Sequence, residues 1–414
     1  MRLPPETLDR IFGFIELNSS NAWPKRPGPF VPQWQLYPLL FVCREWFVAA
    51  QRLLHSSVSL GSHRRTRYGG GWSLVAGGED ICASFYESIR KNTFLATFAR
   101  ELRLGSYYRS DLCEETLHHS YIISLCKNVE HIEIVGFNDI HRLELKEALL
   151  STNLVELTIF RHGLGGWTSF SYSESSLCTP SEMIAYILRC PWLKKVTIYN
   201  TFHRYDDKNV LPSTSAKNLC PDLREINFKE DTIYADHLRL LSEAAPNVEM
   251  ANITTEGAVA GELRSCLQSW SSTLTHLILR TDNVCRVPST SVSDTFRGPP
   301  SFAVRSIDVP PGMLSKFSRV ENVRYSCARI HLDTFAAALQ DSSFLPSLRA
   351  LRFAQDRSLW TTNQTLGGDA GQCLPALRCI RDACKMRGAR VEFSLTNFLN
   401  RLMNESEAQE MSAD

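Results

Sequence analysis

A short pattern of apolar residues recurs along the chain and constrains its fold more than any other feature. In each copy, an apolar residue is followed three positions later by a second one and two positions after that by a third. The alternation at the end of the pattern is typical of a β-strand with one buried face. Eight copies begin at Val129, Leu154, Leu193, Leu223, Val248, Leu274, Val320 and Leu348. A degenerate earlier copy lies at residues 101–104. The spacings between starts are 25, 39, 30, 25, 26, 46 and 28 residues, which predicts a strand-bearing repeat with insertions in its longer copies.

Helical patterns fall between these strands. They are predicted at residues 115–126, 143–150, 180–189, 234–245, 261–270 and 333–340. Before several strands a proline ends the helix, as in Cys190-Pro191 and Cys220-Pro221. This succession resembles leucine-rich repeats, which implies an α/β solenoid with a parallel sheet inside and helices outside. The alternative is a doubly wound α/β domain, but its longer apolar strands and glycine-rich phosphate turn are absent from the sequence.

The first sixty residues carry two short apolar helical patterns of a different kind. Pro4 and Pro5 precede the first helix, at a position where a missing N–H costs nothing. One apolar stripe follows, formed by Leu8, Ile11, Phe12 and Ile15. The second helix, predicted at residues 37–54, is apolar over more than one face. On one side lie Leu39, Val42, Cys43, Trp46, Ala50 and Leu53, and elsewhere Leu40, Phe41 and Phe47. Such a helix needs cover on two sides, so a partner or the following domain must supply the second.

These residues resemble the F-box family. The matching pieces are Leu3-Pro4-x-Glu6, Ile11-Phe12 and Leu39-x-x-Val42-Cys43-Arg44-x-Trp46. The resemblance implies that the module binds a Skp-type adaptor and, through it, a cullin. It implies adaptor contacts by Leu3, Pro4, Pro5, Glu6, Leu8, Ile11, Phe12, Leu39, Leu40, Val42, Cys43 and Trp46. The Pro-rich insert at residues 18–35 departs from the family pattern and is expected to loop out. The alternative is that residues 1–60 form a helical cap, which repeat arrays need over their first core layer.

The far end of the array carries a second resemblance. A helix is predicted at residues 377–385 and a last short strand at residues 390–394. The stretch from Ile380 to Gly388, which contains Arg381, Cys384 and Arg387, resembles the end of fungal F-box proteins with degenerate leucine-rich repeats. The predicted organisation is an F-box domain at 1–60, a linker and the start of the repeat domain at 61–94, a repeat domain at 95–395 and an acidic, disordered tail at 396–414.

No constellation of residues predicts catalysis or a cofactor. The glycines at Gly69, Gly70 and Gly71 lack the Lys-Ser/Thr of a phosphate-binding loop and are predicted to form a flexible linker. Two adjacent histidines, His118 and His119, match no zinc-ligand spacing with their neighbours. The sequence therefore predicts a protein that is not an enzyme and has no metal site.

Charge and cysteine usage limit the partners and the compartment. A net charge of +1 gives no indication of nucleic acid or membrane binding. The most apolar stretch, residues 36–42, is too short to span a bilayer. The 13 cysteines are odd in number and form no Cys-x-x-Cys pair, which indicates reduced thiols in the cytoplasm or nucleus.

One face of the repeat strands is predicted to meet a target protein. The residue between the last two apolar positions, and the residue after the pattern, point away from the core. These positions place two aromatic residues in the middle of the array and basic residues toward its end. The predicted target-binding residues are Phe160, Tyr199, Lys229, Arg280, Arg324 and Arg352. Aromatic anchors beside arginines are typical of a binding surface for a protein or phosphopeptide. Alternatively, the inserts that follow Phe160 and Tyr199 cover both rings.

The leading hypothesis is a substrate-recognition adaptor of an SCF-type (Skp-cullin-F-box) E3 ubiquitin ligase. In this hypothesis the F-box holds the Skp-type adaptor and the repeat domain holds a target protein for ubiquitination. The chain would act by proximity, bringing a target lysine near the ubiquitin-carrying enzyme. The alternative is a repeat scaffold for protein interactions outside any ligase, whose N-terminal helices are a solenoid cap.

Overall fold

A computed structural model describes fifteen stretches of the chain. They are residues 4, 7–8, 11–12, 34–61, 65–68, 71–74, 78–105, 115–137, 140–160, 177–199, 219–255, 260–281, 314–325, 332–353 and 370–393. The chain divides into two compact units, Met1–Lys208 and Asn209–Asp414, here called the first and second unit. The predicted tail at 396–414 and most of the predicted insert at 18–35 lie outside the described residues.

The first unit begins with a helical module, defined here as the described residues from Pro4 to Ser56. Residues 7, 8, 11 and 12 have helical backbone, and the carbonyl of Pro4 accepts the N–H groups of Thr7 and Leu8. A 3-10 helix spans Trp34–Phe41, and helix α1 spans Arg44–Ser56. The single helix predicted at residues 37–54 is therefore wrong. The chain breaks at Cys43, whose extended backbone (φ −163°, ψ 172°) starts α1 afresh.

Five parallel strands follow one another through the first unit. They are β1 (Ser57–Gly61), β4 (Glu101–Gly105), β5 (His131–Val135), β6 (Glu156–Phe160) and β7 (Lys195–Tyr199). Each pairs with the preceding member of this series. The connecting helices are α2 (Gly78–Lys91), α3 (Thr93–Ala96), α4 (Glu115–Leu125), α5 (Arg142–Leu150) and α6 (Pro180–Arg189). A separate antiparallel hairpin joins β2 (Arg65–Tyr68) to β3 (Gly71–Leu74), so the loop predicted around the glycines is wrong at Gly71.

The second unit repeats this arrangement. Its strands are β8 (Glu225–Ile233), β9 (Met250–Thr255), β10 (His276–Thr281), β11 (Asn322–Tyr325), β12 (Ala350–Phe353) and β13 (Arg390–Phe393). They pair in parallel and in sequence order. The helices between them are α7 (Ala235–Ala244), α8 (Ala260–Ser269), α9 (Leu332–Gln340) and α10 (Ala370–Met386). Within each unit the α/β class and the parallel pairing are as predicted. The strand order does not reverse, as it would in a doubly wound sheet.

The same backbone contact sets the register at the entry to successive strands. The N–H groups of Glu130 and His131 both donate to the carbonyl of Arg100, at 2.8 and 2.9 Å. In the second unit, the N–H groups of Glu249 and Met250 donate to the carbonyl of Arg224 at the same distances. Positions in each copy are counted from its first apolar residue. Because this contact recurs, the second and third positions of each copy lie beside those of the previous copy. The apolar fourth and sixth positions therefore stack into a continuous core, as Ile132 and Ile134 do.

Cysteines and alanines fill the turns that lead into the strands. Cys126, Cys190 and Cys220 are buried, and the nine cysteines whose side chains the structure describes are free thiols. Burial raises the pKa of the Cys126 thiol to about 12. These thiols therefore act as small apolar groups in the core. Within the described stretches, no helix has both the length and the apolar character required to cross a bilayer.

Candidate functional site

The helical module has a small apolar core of its own. Its buried members are Leu8, Phe12, Leu36, Ala49 and Ala50. Around them, Leu39, Leu40, Trp46, Leu53 and Leu54 pack as partly buried side chains. The ring of Phe12 meets the ring of Trp46 edge to face, with centroids 5.3 Å apart. Leu8 and Phe12 were predicted to touch an adaptor, but both are inside this core and can only support the surface above it.

Large apolar side chains remain exposed on this module although its core is filled. We call them the apolar face: Ile11, Tyr37, Phe41, Val42, Phe47 and Val48. Phe41 is 73% exposed and Val48 is 63% exposed, and the rings of Tyr37 and Phe41 pack edge to face at 5.4 Å. The module supplies six of the thirteen large apolar side chains that are exposed among the described residues. Such a concentration is typical of a surface that another protein covers.

The predicted adaptor contacts divide into four groups in the structure. Pro4, Ile11, Val42 and Cys43 are exposed, and Leu39, Leu40 and Trp46 are partly buried. Leu8 and Phe12 are buried, and Leu3, Pro5 and Glu6 lie outside the described residues. Sequence reasoning left Tyr37, Phe41, Phe47 and Val48 out of the predicted contacts. They fall outside the motif positions, and a continuous helix over 37–54 would have oriented them differently.

The second site is the face of the strands that points away from the core. In each unit, the strand face is defined as the third, fifth and seventh positions of the copies, which lie on one side of the sheet. In the first unit this face is a ladder of cross-strand pairs. Ser57 donates to Glu101 at 2.8 Å, and Nε of Arg103 lies 2.9 Å from a carboxylate oxygen of Glu133. These partly exposed pairs fix the side chains in place and contribute little to stability.

Phe160 and Tyr199 are brought together at the end of this ladder. They are register partners on β6 and β7, and their ring centroids lie 6.2 Å apart at an interplanar angle of 55°. Both side chains are partly exposed. The inserts that were suggested to cover them lie almost entirely outside the described residues. The pair forms an aromatic platform of the kind that anchors a bound protein.

Arg280 was predicted as a contact residue, but the structure buries it. Only 9% of its surface is exposed, and its Nε donates to Oδ1 of Asn252 at 3.3 Å. The amide of Asn252 donates in turn to Oδ1 of Asn227 at 2.6 Å. The prediction for Arg280 is therefore corrected to a structural role, because a buried polar chain of this kind fixes the face without reaching a partner. Lys229 lies in the irregular part of β8, and its side chain is outside the described residues.

Arg324 and Arg352 lie side by side on the second-unit strand face. They are register partners on β11 and β12. Arg352 is exposed and holds Glu392 on β13 through two contacts, Nε to Oε2 at 2.7 Å and Nη2 to Oε1 at 3.0 Å. Arg324 is partly buried, and its Nε has no hydrogen-bond partner among the residues that the structure describes. The structure therefore brings together two of the four predicted basic contacts.

The histidines that were considered as metal ligands have other surroundings. His119 is buried against Cys82, and the ring of His118 lies 6.1 Å from that of Tyr86. Across the residues that the structure describes, no three His, Cys, Asp or Glu side chains are grouped to hold a metal ion.

No protein-family model matches the sequence, and no curated protein matches it.

Proposed function

We propose that this chain is a substrate-recognition adaptor of an SCF-type ubiquitin ligase, with an F-box that binds a Skp-type adaptor and strand faces that bind a target protein. The observation that carries the proposal is the apolar face on a module whose own core is already formed. A side chain such as Val48, at 63% exposure, gains nothing from the fold of the module. Covering it with a partner removes apolar surface from water at roughly 25 cal/mol per Å².

The proposed mechanism is proximity. The module would hold the ligase while the strand faces hold the target, which raises the effective concentration of target lysines near the ubiquitin-carrying enzyme. The aromatic pair of Phe160 and Tyr199 and the arginines at 324 and 352 supply contacts of the type that dominate protein interfaces. We place this activity in the cytoplasm or nucleus, where free thiols such as Cys43 stay reduced.

One observation favours the alternative, a scaffold whose N-terminal helices cap the array. Helix α1 leads directly into β1, and the carbonyl of Ser56 accepts the N–H of Arg100 at the start of β4. The module is thus joined to the first two strands, as a cap would be. A cap does not need the exposed side chains of the apolar face, so binding to an adaptor separates the two hypotheses.

The test is a pull-down of the purified chain with a purified Skp-type adaptor. Trp46 is a poor choice for substitution because it packs on Phe12, so its loss would disturb the fold. Phe41→Ser and Val48→Ser change exposed side chains instead. Trp192→Ser is the matched control, since Trp192 is 65% exposed in the turn before β7, outside the module.

We expect the wild type and the Trp192→Ser variant to bind the adaptor and the double variant Phe41→Ser/Val48→Ser to lose binding. Thermal unfolding and circular dichroism establish that all three chains are folded. A folded wild type that fails to bind at micromolar concentrations would eliminate the ligase function and leave the cap hypothesis.

A further inference from the structure

Arg324 breaks a pairing rule that the other arginines at its position obey. At the fifth position of the copies, Arg103 pairs with Glu133 on the next strand, and Arg352 pairs with Glu392 on the next strand. The next-strand partner of Arg324 is Arg352, and the partner on its other side is Ile278. Neither neighbour supplies a negative charge.

The described surroundings of Arg324 supply no substitute for the missing carboxylate. Within the described residues, its buried Nε has no hydrogen-bond acceptor, and no carboxylate lies within ion-pair distance of its guanidinium. Glu321, which precedes β11, is engaged by Arg349 at 3.4 Å, and Glu392 on β13 is engaged by Arg352 at 2.7 Å. The planar guanidinium of arginine is suited to bind the two oxygens of a carboxylate or phosphate, and the described neighbours of Arg324 do not provide them.

Asn322, two residues before Arg324 on the same face of β11, is polar, uncharged and held in place. The amide nitrogen of Asn322 lies 2.8 Å from Nε2 of His276, and Nδ1 of His276 lies 2.9 Å from the hydroxyl of Thr275. Because these groups hold one another, the face around Arg324 is already ordered before a ligand arrives. Ordering of this kind lowers the entropic cost of binding.

We infer that Arg324 anchors an acidic group, a carboxylate or a phosphate, on an extended segment of the target polypeptide. The inference deepens the proposed function and rests on its assignment of the strand face to the target. Small ligands bind in enclosed pockets, whereas Arg324, Arg352 and Asn322 lie along neighbouring strands, a geometry that suits an extended chain. A nucleic-acid backbone needs several cations in a row, whereas Glu392, held by Arg352, interrupts the positive charge on this face, so we favour a polypeptide.

The experiment measures binding of the full-length chain to labelled peptides by fluorescence anisotropy, without any Skp-type adaptor. The probes are a fluorescein-labelled oligoglutamate, the same peptide with phosphoserine in place of glutamate, and an oligoserine control. Labelled single-stranded DNA tests the nucleic-acid alternative, and inorganic phosphate is added as a competitor. Because the adaptor is absent, failure of peptide binding and failure of adaptor docking are observed separately.

The variants are Arg324→Gln, which removes the charge but keeps a polar side chain, and Arg264→Gln as the matched control. Arg264 is exposed on helix α8, so its loss changes the net charge equally without touching the strand face. We expect both acidic peptides to bind the wild type and Arg264→Gln alike, and Arg324→Gln to bind about tenfold or more weakly, as loss of a charge-assisted hydrogen bond implies. Tighter binding of the phosphoserine peptide would identify phosphate as the acidic group, and tighter binding of oligoglutamate would identify carboxylate.

Equal affinity of Arg324→Gln and the wild type for the acidic peptides would overturn the inference, and so would binding of DNA in preference to both peptides. Thermal unfolding of each variant, together with an Arg324→Lys variant that keeps the charge, guards against a trivial loss of fold. We expect Arg324→Lys to retain part of the binding, because lysine keeps the charge but not the planar fork.

Discussion

Nε2 of His119 lies 3.4 Å from the sulfur of Cys82, in the interior of the first unit where α4 meets α2. Both side chains are buried, and Nδ1 of the imidazole has no hydrogen-bond partner within the described residues. Burial, with a smaller contribution from the charge of His118, lowers the pKa of His119 to about 3. Between about pH 3 and pH 6.5, the imidazole is therefore neutral in the folded chain, whereas an unfolded chain would take up a proton.

This relationship predicts that His119 destabilises the fold as the pH falls below its unfolded pKa of about 6.5. The unfolded state binds a proton that the folded state refuses until about pH 3, so stability falls by about 1.4 kcal/mol per pH unit in this window. Between pH 7 and pH 5, the free energy of unfolding of the wild type should therefore fall by about 2 kcal/mol relative to that of His119→Gln. Urea unfolding followed by circular dichroism at both pH values measures it.

A core substitution on the same helix provides the control for that experiment. Ile122→Val removes a buried methylene from α4 and should lower the free energy of unfolding by about 1 kcal/mol at both pH values. Parallel stability curves for the wild type and His119→Gln would contradict the buried, neutral state of the imidazole.

The strands and helices of the repeat could be predicted because each has its own pattern of apolar residues in the sequence. Alternating apolar residues fix the strands, and helix α6 runs over the predicted residues because Thr179 and Glu182 form a capping box at its start. Strand β1 was missed because it follows α1 directly and has a histidine, His55, where the other copies have an apolar first residue. A strand of this kind is recognised only by its partner, β4.

The candidate sites were less predictable, because exposure depends on contacts between distant segments. Leu8 and Ile11 belong to one sequence stripe, but Leu8 is buried and Ile11 is exposed. Arg324 and Arg352 both occupy the fifth position, but their surroundings differ. The strand after Arg352 carries a glutamate at this position, and the strand after Arg324 carries an arginine. Arg280 is buried by a hydrogen-bonded chain across three strands, which no local pattern in the sequence indicates.

Arg387, which belongs to neither candidate site, is expected to contribute strongly to the stability of the fold. Its Nη1 donates to the carbonyl of Phe344 at 2.6 Å, and its Nη2 donates to the carbonyls of Leu339 and Asp341. Carbonyls at a helix end have no partner within the helix, so Arg387 caps the end of α9 from the turn after α10. We expect Arg387→Ala to lower the free energy of unfolding by about 2 kcal/mol.

Urea unfolding monitored by circular dichroism measures that change, with Lys385→Ala as the control. Lys385 is an exposed base two residues before Arg387, and its loss should change the free energy of unfolding by no more than about 0.5 kcal/mol. Similar destabilisation by both variants would indicate that general charge, and not capping, is responsible.

The indole N–H of Trp270 is expected to make a comparable contribution to stability. The side chain is fully buried, and Nε1 donates to the carbonyl of Ala245 at 2.7 Å. Trp270→Phe leaves that carbonyl without its donor and removes part of the buried ring, so the free energy of unfolding should fall by about 2–3 kcal/mol. Trp192→Phe makes the same chemical change at an exposed site and should have little effect. Equal urea midpoints for the wild type and Trp270→Phe would show that the hydrogen bond is dispensable.

A substitution at Phe12 tests whether the helical module folds separately from the sheet. Because its ring lies in a core built only from module residues, Phe12→Ala should cost about 3–5 kcal/mol and be felt mainly within the module. We expect amide hydrogen exchange to accelerate in Arg44–Ser56 and to stay unchanged in β5 and β6, while Ile11→Ala, on the exposed side of the same segment, changes neither. If exchange in β1 and β4 accelerated as much as in α1, the module would be an integral cap of the sheet. Exchange confined to the module would instead support a separately folding unit that presents its apolar face to a partner.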